Sequence, residues 1–178
     1  TIHRGRRVSA ADAYLHSFRG RPNLAIRAHC LVTRVLFDGD QAVVGVEYQR
    51  DGRVTQARAR REVILCAGAI NSPQVLMLSG IGNARDLGAL GVDVVADLPG
   101  VGNGLQDHAD VSVTQICTKP VTTTSAFQLH RKALLGLEWL LFKTGLGATN
   151  HFETAGYIRT DATLHRPDIQ IAFLPLLA

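Results

Sequence analysis

Strand-like runs of apolar and polar residues cover Leu31 to Phe37, Ala42 to Gln49 and Val54 to Ala59, and a shorter one covers Leu24 to Ala28. Asp38-Gly39-Asp40 and Asp51-Gly52 separate the later runs, and such pairs favour tight hairpins. The pattern predicts a β-meander, with Val43, Val44, Val46 and Tyr48 giving it one mostly apolar side. Next, Val63 to Ala69 is apolar throughout, as in a strand covered on both faces in a parallel sheet. It leads through Asn71-Ser72-Pro73 into a helix over Gln74 to Leu78. Either polar residue suits the cap, and proline suits the first helical position. Ser79-Gly80-Ile81-Gly82 ends that helix, Ala84 to Leu90 forms another that stops at Gly91, and Val92 to Ala96 reads as a strand.

The flanking regions are patterned more simply. Ser9 to His16 reads as a short helix capped by Ser9, and Gly20 to Asn23 as a turn. Leu98 to Gly104 is a loop by composition, and Asp110 to Thr118 alternates like a strand. Phe127 to Lys143 is the longest helical stretch, and Phe152 to Arg159 a further strand. The chain opens on Thr1 and stops within the strand-like run from Ile169 to Pro175, so both ends read as cuts. The expected class is mixed α/β, divided into residues 1–108 and 109–178.

Composition narrows the function. At 46% hydrophobic and 19% charged residues the chain is of the ordinary globular type. Its net charge of +4 comes mainly from arginine, concentrated at Arg4, Arg6 and Arg7 and again from Arg50 to Arg61. With 6% aromatic residues it lacks the interleaved stacking surface that nucleic-acid binding favours, and that partner is set aside. Cys30, Cys66 and Cys117 form no paired motif and sit in apolar runs, predicting buried, reduced thiols and a cytoplasmic setting. The histidines show no metal-binding spacing. No apolar run reaches the roughly 20 residues of a membrane span.

The chemistry concentrates in Gly68 to Gly82. A strand there meets a helix N-terminus across a junction without bulky side chains, where Cys66-Ala67-Gly68-Ala69 brings main chain close to whatever lies beyond. Free N–H groups and a partial positive charge at the helix start favour a phosphate or an electron-rich ring edge. A tight turn packed for structural reasons alone accounts for the composition equally well.

The segment closely resembles the second sequence signature of the glucose–methanol–choline oxidoreductases: a small residue, Ser-Pro, two aliphatics, then Ser-Gly-aliphatic-Gly. Arg21-Pro22-Asn23-Leu24 with Leu31 to Val35 resembles that family's hairpin beside the flavin's adenine. Leu98 to His108 resembles its loop near the flavin, although Asn103-Gly104 stands where relatives usually have Glu-Asn. Asn150 to Arg159 resembles an early strand of the substrate domain in the choline-oxidising branch, the branch that the whole chain resembles best.

The resemblance implies an FAD/NAD(P)-binding-type domain over 1–108, the start of an antiparallel-sheet substrate domain over 109–178, and FAD as cofactor. It implies flavin contacts from Val32 (through its main chain), Ala67, Gly68, Ala69, Ser72 and Pro73, and substrate contact from Glu153 facing a trimethylammonium group. It implies oxidation of a choline-like primary alcohol to the aldehyde, with hydride passing to the flavin, and leaves the electron acceptor open. A neutral alcohol as substrate, or a non-catalytic binding module, are the alternatives. The family's Gly-rich pyrophosphate cradle and its late catalytic His have no counterpart in these residues, so no catalytic residue is assigned and the segment alone is expected to be inactive. Phe127 to Lys143 reads first as core and secondarily as a contact with substrate entrance or membrane, which would make the protein peripheral to an inner membrane.

Overall fold

The structure, a computed structural model, describes residues 2–119, 121–152 and 154–175. In chain order the elements are β1 (Ile2–His3), β2 (Arg6–Arg7), α1 (Ala10–Tyr14), β3 (Leu31–Phe37), β4 (Val43–Arg50) and β5 (Arg53–Arg58). There follow α2 (Gly68–Leu78), β6 (Ile81–Gly82), α3 (Ala84–Ala89), β7 (Ala96–Asp97), α4 (Leu129–Phe142), β8 (Thr154–Ile158) and β9 (Ile169–Phe173). The result is mixed α/β with antiparallel sheets, as the sequence predicts, and the chain divides into two units.

One unit is Ile26–Asp110. Its meander runs β3-β4-β5, all antiparallel, with hairpins at the two Asp-Gly sites. Val35 and Tyr48 on the sheet and Val75 on α2 are buried apolar residues, and α2 packs on β3. Leu87 of α3 is the most enclosed side chain, 1% exposed. The short parallel pair β6–β7 ties the segment that follows α2 to the one that follows α3. Between Val32 and Arg34 the β3–β4 register shifts, because β3 carries one extra residue there. Val32 and Thr33 are consequently both half-buried, breaking the in–out alternation.

The other unit is Thr1–Ala25 with Val111–Ala178. Its α1 begins with a reciprocal cap: Asp12 N–H donates to Ser9 Oγ (3.2 Å) and Ser9 N–H to Asp12 Oδ2 (2.9 Å). The β1–β2 hairpin is held to α4 by Trp139, whose Nε1 donates to Gly5 O at 2.6 Å. Lys143 closes α4 in the left-handed conformation (φ 58°), with its ammonium 3.8 Å from the Trp139 ring centre. β8 and β9 pair antiparallel, and Asp168 accepts from Thr160 N–H (2.8 Å) beside them. Among the described residues of this unit none is buried.

Several expectations need correction. Val63 to Ala67 forms no strand: Ile64 is 73% exposed and no described segment pairs with it. A parallel strand needs neighbours on both edges and layers on both faces, and the described residues supply neither. Leu24 to Ala28 and Asp110 to Thr118 likewise join no ladder. The strand read over Val92 to Ala96 shrinks to Ala96–Asp97. Cys66 and Cys117 are exposed rather than buried and Cys30 is half-buried, for the same want of covering layers around two of them.

Candidate functional site

The helix that the sequence starts at Pro73 begins five residues earlier, at Gly68. Gly68 has φ +87°, a conformation that L side chains rarely adopt, and it turns the extended chain directly into α2. Ala67 occupies the N-cap and supplies no side-chain bond, leaving the first-turn N–H groups without the usual cap. Neither Asn71 nor Ser72 is therefore the cap. Pro73 lies inside α2, where its ring nitrogen removes one helical bond. Ser72 reaches back instead: its Oγ accepts from Ala67 N–H at 3.1 Å and ties the bend to the second turn.

The bend is open. A Cβ placed on Gly68 meets no heavy atom within 4 Å, and Ala67, Gly68 and Ala69 are all exposed. The other end of the same motif is closed. Ser79 is buried; its Oγ donates to Val75 O (2.5 Å) and accepts from Val35 N–H (2.8 Å), joining α2 to β3. Gly80 has φ +85°, and a Cβ there would press on the carbonyl of Asp93 and come within 2.9 Å of Val95 Cγ2.

Val32 lies on β3 opposite Tyr48, at the extra residue, three positions from Val35. Around it, Thr33 Oγ1 donates to Glu47 Oε1 (2.9 Å) and Arg34 Nη2 to Glu47 Oε2 (3.0 Å). The Arg34 guanidinium, and then the Thr33 hydroxyl, hold the Glu47 carboxyl below its ordinary value. Tyr48 Oη accepts from Arg27 Nη1 at 2.7 Å, which fastens the segment leading into β3. The loop after β7 lies beside α2, since a Cβ on Gly102 would meet Met77 Sδ at 2.8 Å. Within it, Asn103 Nδ2 donates to Pro99 O at 2.6 Å. His108 donates only its N–H, to Asp107 Oδ1 at 2.8 Å, and is exposed.

One unit thus gathers Ala67, Gly68, Ala69, Ser72 and Pro73 on one bend, with Val32 on the strand that the same helix packs against. Glu153 lies outside the described residues. Sequence reading missed Ser79 as a link, seeing only a helix stop, and missed the clamp on Glu47. A hydroxyl in an otherwise apolar helix end was the available signal for the first. Among the described residues no cluster of His, Cys, Asp and Glu could hold a metal, and no helix is long and apolar enough to cross a membrane.

The family model of the GMC oxidoreductases matches residues 1–110. The chain is 57% identical over 175 residues to mitochondrial choline dehydrogenase of Homo sapiens, covering 98% of this chain and 29% of that protein. It is 52% identical over 176 residues to oxygen-dependent choline dehydrogenase of Brucella ovis, covering 99% and 32%. Among solved structures it matches a formate oxidase with TM-score 0.82, at 23% identity over 99% of this chain and 34% of that one, a likeness of fold. It matches an FAD-dependent oxidoreductase from Chaetomium thermophilum with TM-score 0.64, at 31% identity over 79% and 25%. The chain spans about a third of the length of the relatives it matches.

Proposed function

This chain belongs to the GMC oxidoreductase family, and from that premise we propose that it forms the adenine-side wall and the flavin-side bend of an FAD-dependent alcohol dehydrogenase acting on choline. The observation that carries the reading is the open bend at Gly68. Its backbone has room for a ligand on the side where a Cβ would stand, and the first turn of α2 offers N–H groups that no side chain caps. Those features fit the electron-rich edge of a flavin dinucleotide. When bound, FAD supplies the capacity to take a hydride from the alcohol carbon.

The residues here have supporting parts. Gly68 and Ala69 present main chain without bulk, Ser72 keeps the bend in register with α2 through Ala67 N–H, and Ser79 anchors the far end of the helix to β3. Val32 offers main-chain N–H and C=O to the adenine edge. Pro73, with no N–H of its own, stiffens the turn behind the bend. Glu153 is assigned to the substrate's trimethylammonium group by Coulomb attraction in a partly dry pocket. Choline as substrate is supported by the identity to choline dehydrogenases rather than by any geometry.

The test uses the full-length protein carrying this segment. Gly68→Val fills the open side, and the purified variant should come off the column without bound flavin while keeping its secondary structure. A Gly68→Val protein that retains a full complement of FAD removes the reading. For substrate, Glu153→Gln should lower kcat/KM for choline about tenfold or more, as the loss of one close charge pair implies, and leave a neutral primary alcohol nearly unaffected. Equal losses on both substrates favour a neutral alcohol as the physiological one.

A further inference from the structure

β3 is an edge strand, paired on one side with β4. In an antiparallel pair, successive residues of an edge strand turn their N–H and C=O alternately toward the partner and away from it. The phase is fixed at Val35, whose N–H donates to Ser79 Oγ and so faces away from β4. Val35 stands opposite Val46. From Gly45 to Arg50, β4 runs against β5 without a register shift, so Val46 and Tyr48 share one phase. Ala59 N–H donating to Val44 O at 2.9 Å confirms that this phase faces β5. Val32, the partner of Tyr48, therefore faces outward as Val35 does.

In an unbroken strand that is impossible, because residues three apart have opposite phase. The extra residue, Thr33, makes the difference. Were the bulge drawn out into a regular ladder counted back from Val35, Val32 would stand opposite Gln49 and spend its N–H and C=O on β4. Thr33 is also the residue held from the side: its hydroxyl donates to Glu47 Oε1 (2.9 Å) and lies 3.2 Å from Glu47 O, while Arg34 holds the other carboxylate oxygen. Bulges re-aim backbone beside binding sites.

We propose that the Thr33 bulge, clamped by Glu47, is the device that turns the Val32 main chain to the open sheet edge, making Thr33 and Glu47 positioning residues for the adenine end of FAD. The proposal rests on the reading of Val32 given under Proposed function. Neither residue touches the cofactor; both act through Val32.

The experiment uses the full-length holoenzyme carrying this segment, with Thr33→Val, which keeps size and removes the hydroxyl, and Thr33→Ser, which restores it. Two quantities are read: the Kd for FAD from flavin fluorescence, and amide hydrogen exchange of the peptide containing Val32 with and without FAD. Thr33→Val should raise Kd about three- to tenfold, the worth of one or two hydrogen bonds. It should also lose FAD-dependent protection at Val32 while the apoprotein melts as before, and Thr33→Ser should behave as the parent. Parent-like Kd and protection in Thr33→Val overturn the proposal. So does weaker binding that merely tracks a lower melting temperature and is not restored by serine. If FAD leaves Val32 exchange unchanged in the parent protein, the reading of Val32 itself fails and takes the proposal with it.

Discussion

The two ends of the segment from Gly68 to Gly82 are built for different purposes. At the far end Ser79 and Gly80 are buried, each in contact with groups of the same unit that account for its identity. At the near end Gly68 has the same unusual backbone sign, φ +87° against +85° at Gly80, yet nothing in the described structure crowds it. Two glycines with one conformation therefore answer to different constraints. Packing inside the chain explains Gly80. Gly68 is explained by the turn it makes into α2, and no described group packs against it.

That contrast can be broken by substitution in the full-length protein. The largest effect belongs to Gly80→Val, where left-handed strain and overpacking against Asp93 and Val95 add up to about 3 kcal/mol of lost stability. It is read as a lower melting temperature of the apoprotein. Next, Ser79→Ala strips partners from Val35 N–H and Val75 O in a buried place and should cost about 1–3 kcal/mol, read by denaturant unfolding. Gly68→Ala carries only the backbone strain, about 1 kcal/mol, because its Cβ meets open space. Its loss of FAD affinity should exceed that stability loss, and equal losses would erase the distinction between the two ends.

The smallest effect is on pH. The folded Glu47 carboxyl lies below its ordinary value, so the unfolded state binds the proton more tightly. Its contribution is present above the ordinary carboxylate range and fades as pH falls through the lower folded value. Glu47→Gln should flatten the decline in melting temperature below about pH 4.5, most visibly at low salt because the pair with Arg34 is partly exposed.

Local signals in the sequence were legible where neighbours in sequence also decide the structure. Leu31–Phe37 forms the predicted strand, both Asp-Gly hairpins are present, and Ser9 caps α1. The start of α2 was misjudged because Pro73 is a strong first-turn signal, whereas the helix is set by the backbone of Gly68, which carries no side-chain signal. Val63 to Ala67 reads as a covered strand because hydropathy records what a segment needs; the neighbours that meet the need are not among the described residues. The Thr33 bulge was illegible since one extra residue leaves the composition of a strand unchanged and shows only in its pairing. The bend residues were singled out through family resemblance, and the structure leaves the side of Gly68 where a Cβ would stand uncrowded by described residues.

The bond from the Trp139 indole to Gly5 joins residues 134 apart in sequence. Closing so long a loop is slow, and contacts of such separation form late. The stretch Ile26–Asp110 is continuous and can assemble as soon as it is complete, whereas the β1–β2 hairpin, though made before it, has no helix to dock on until α4 emerges. For this pair of elements the order of synthesis and the order of folding thus run opposite, and the arginine-rich hairpin waits undocked while Ile26–Asp110 is made.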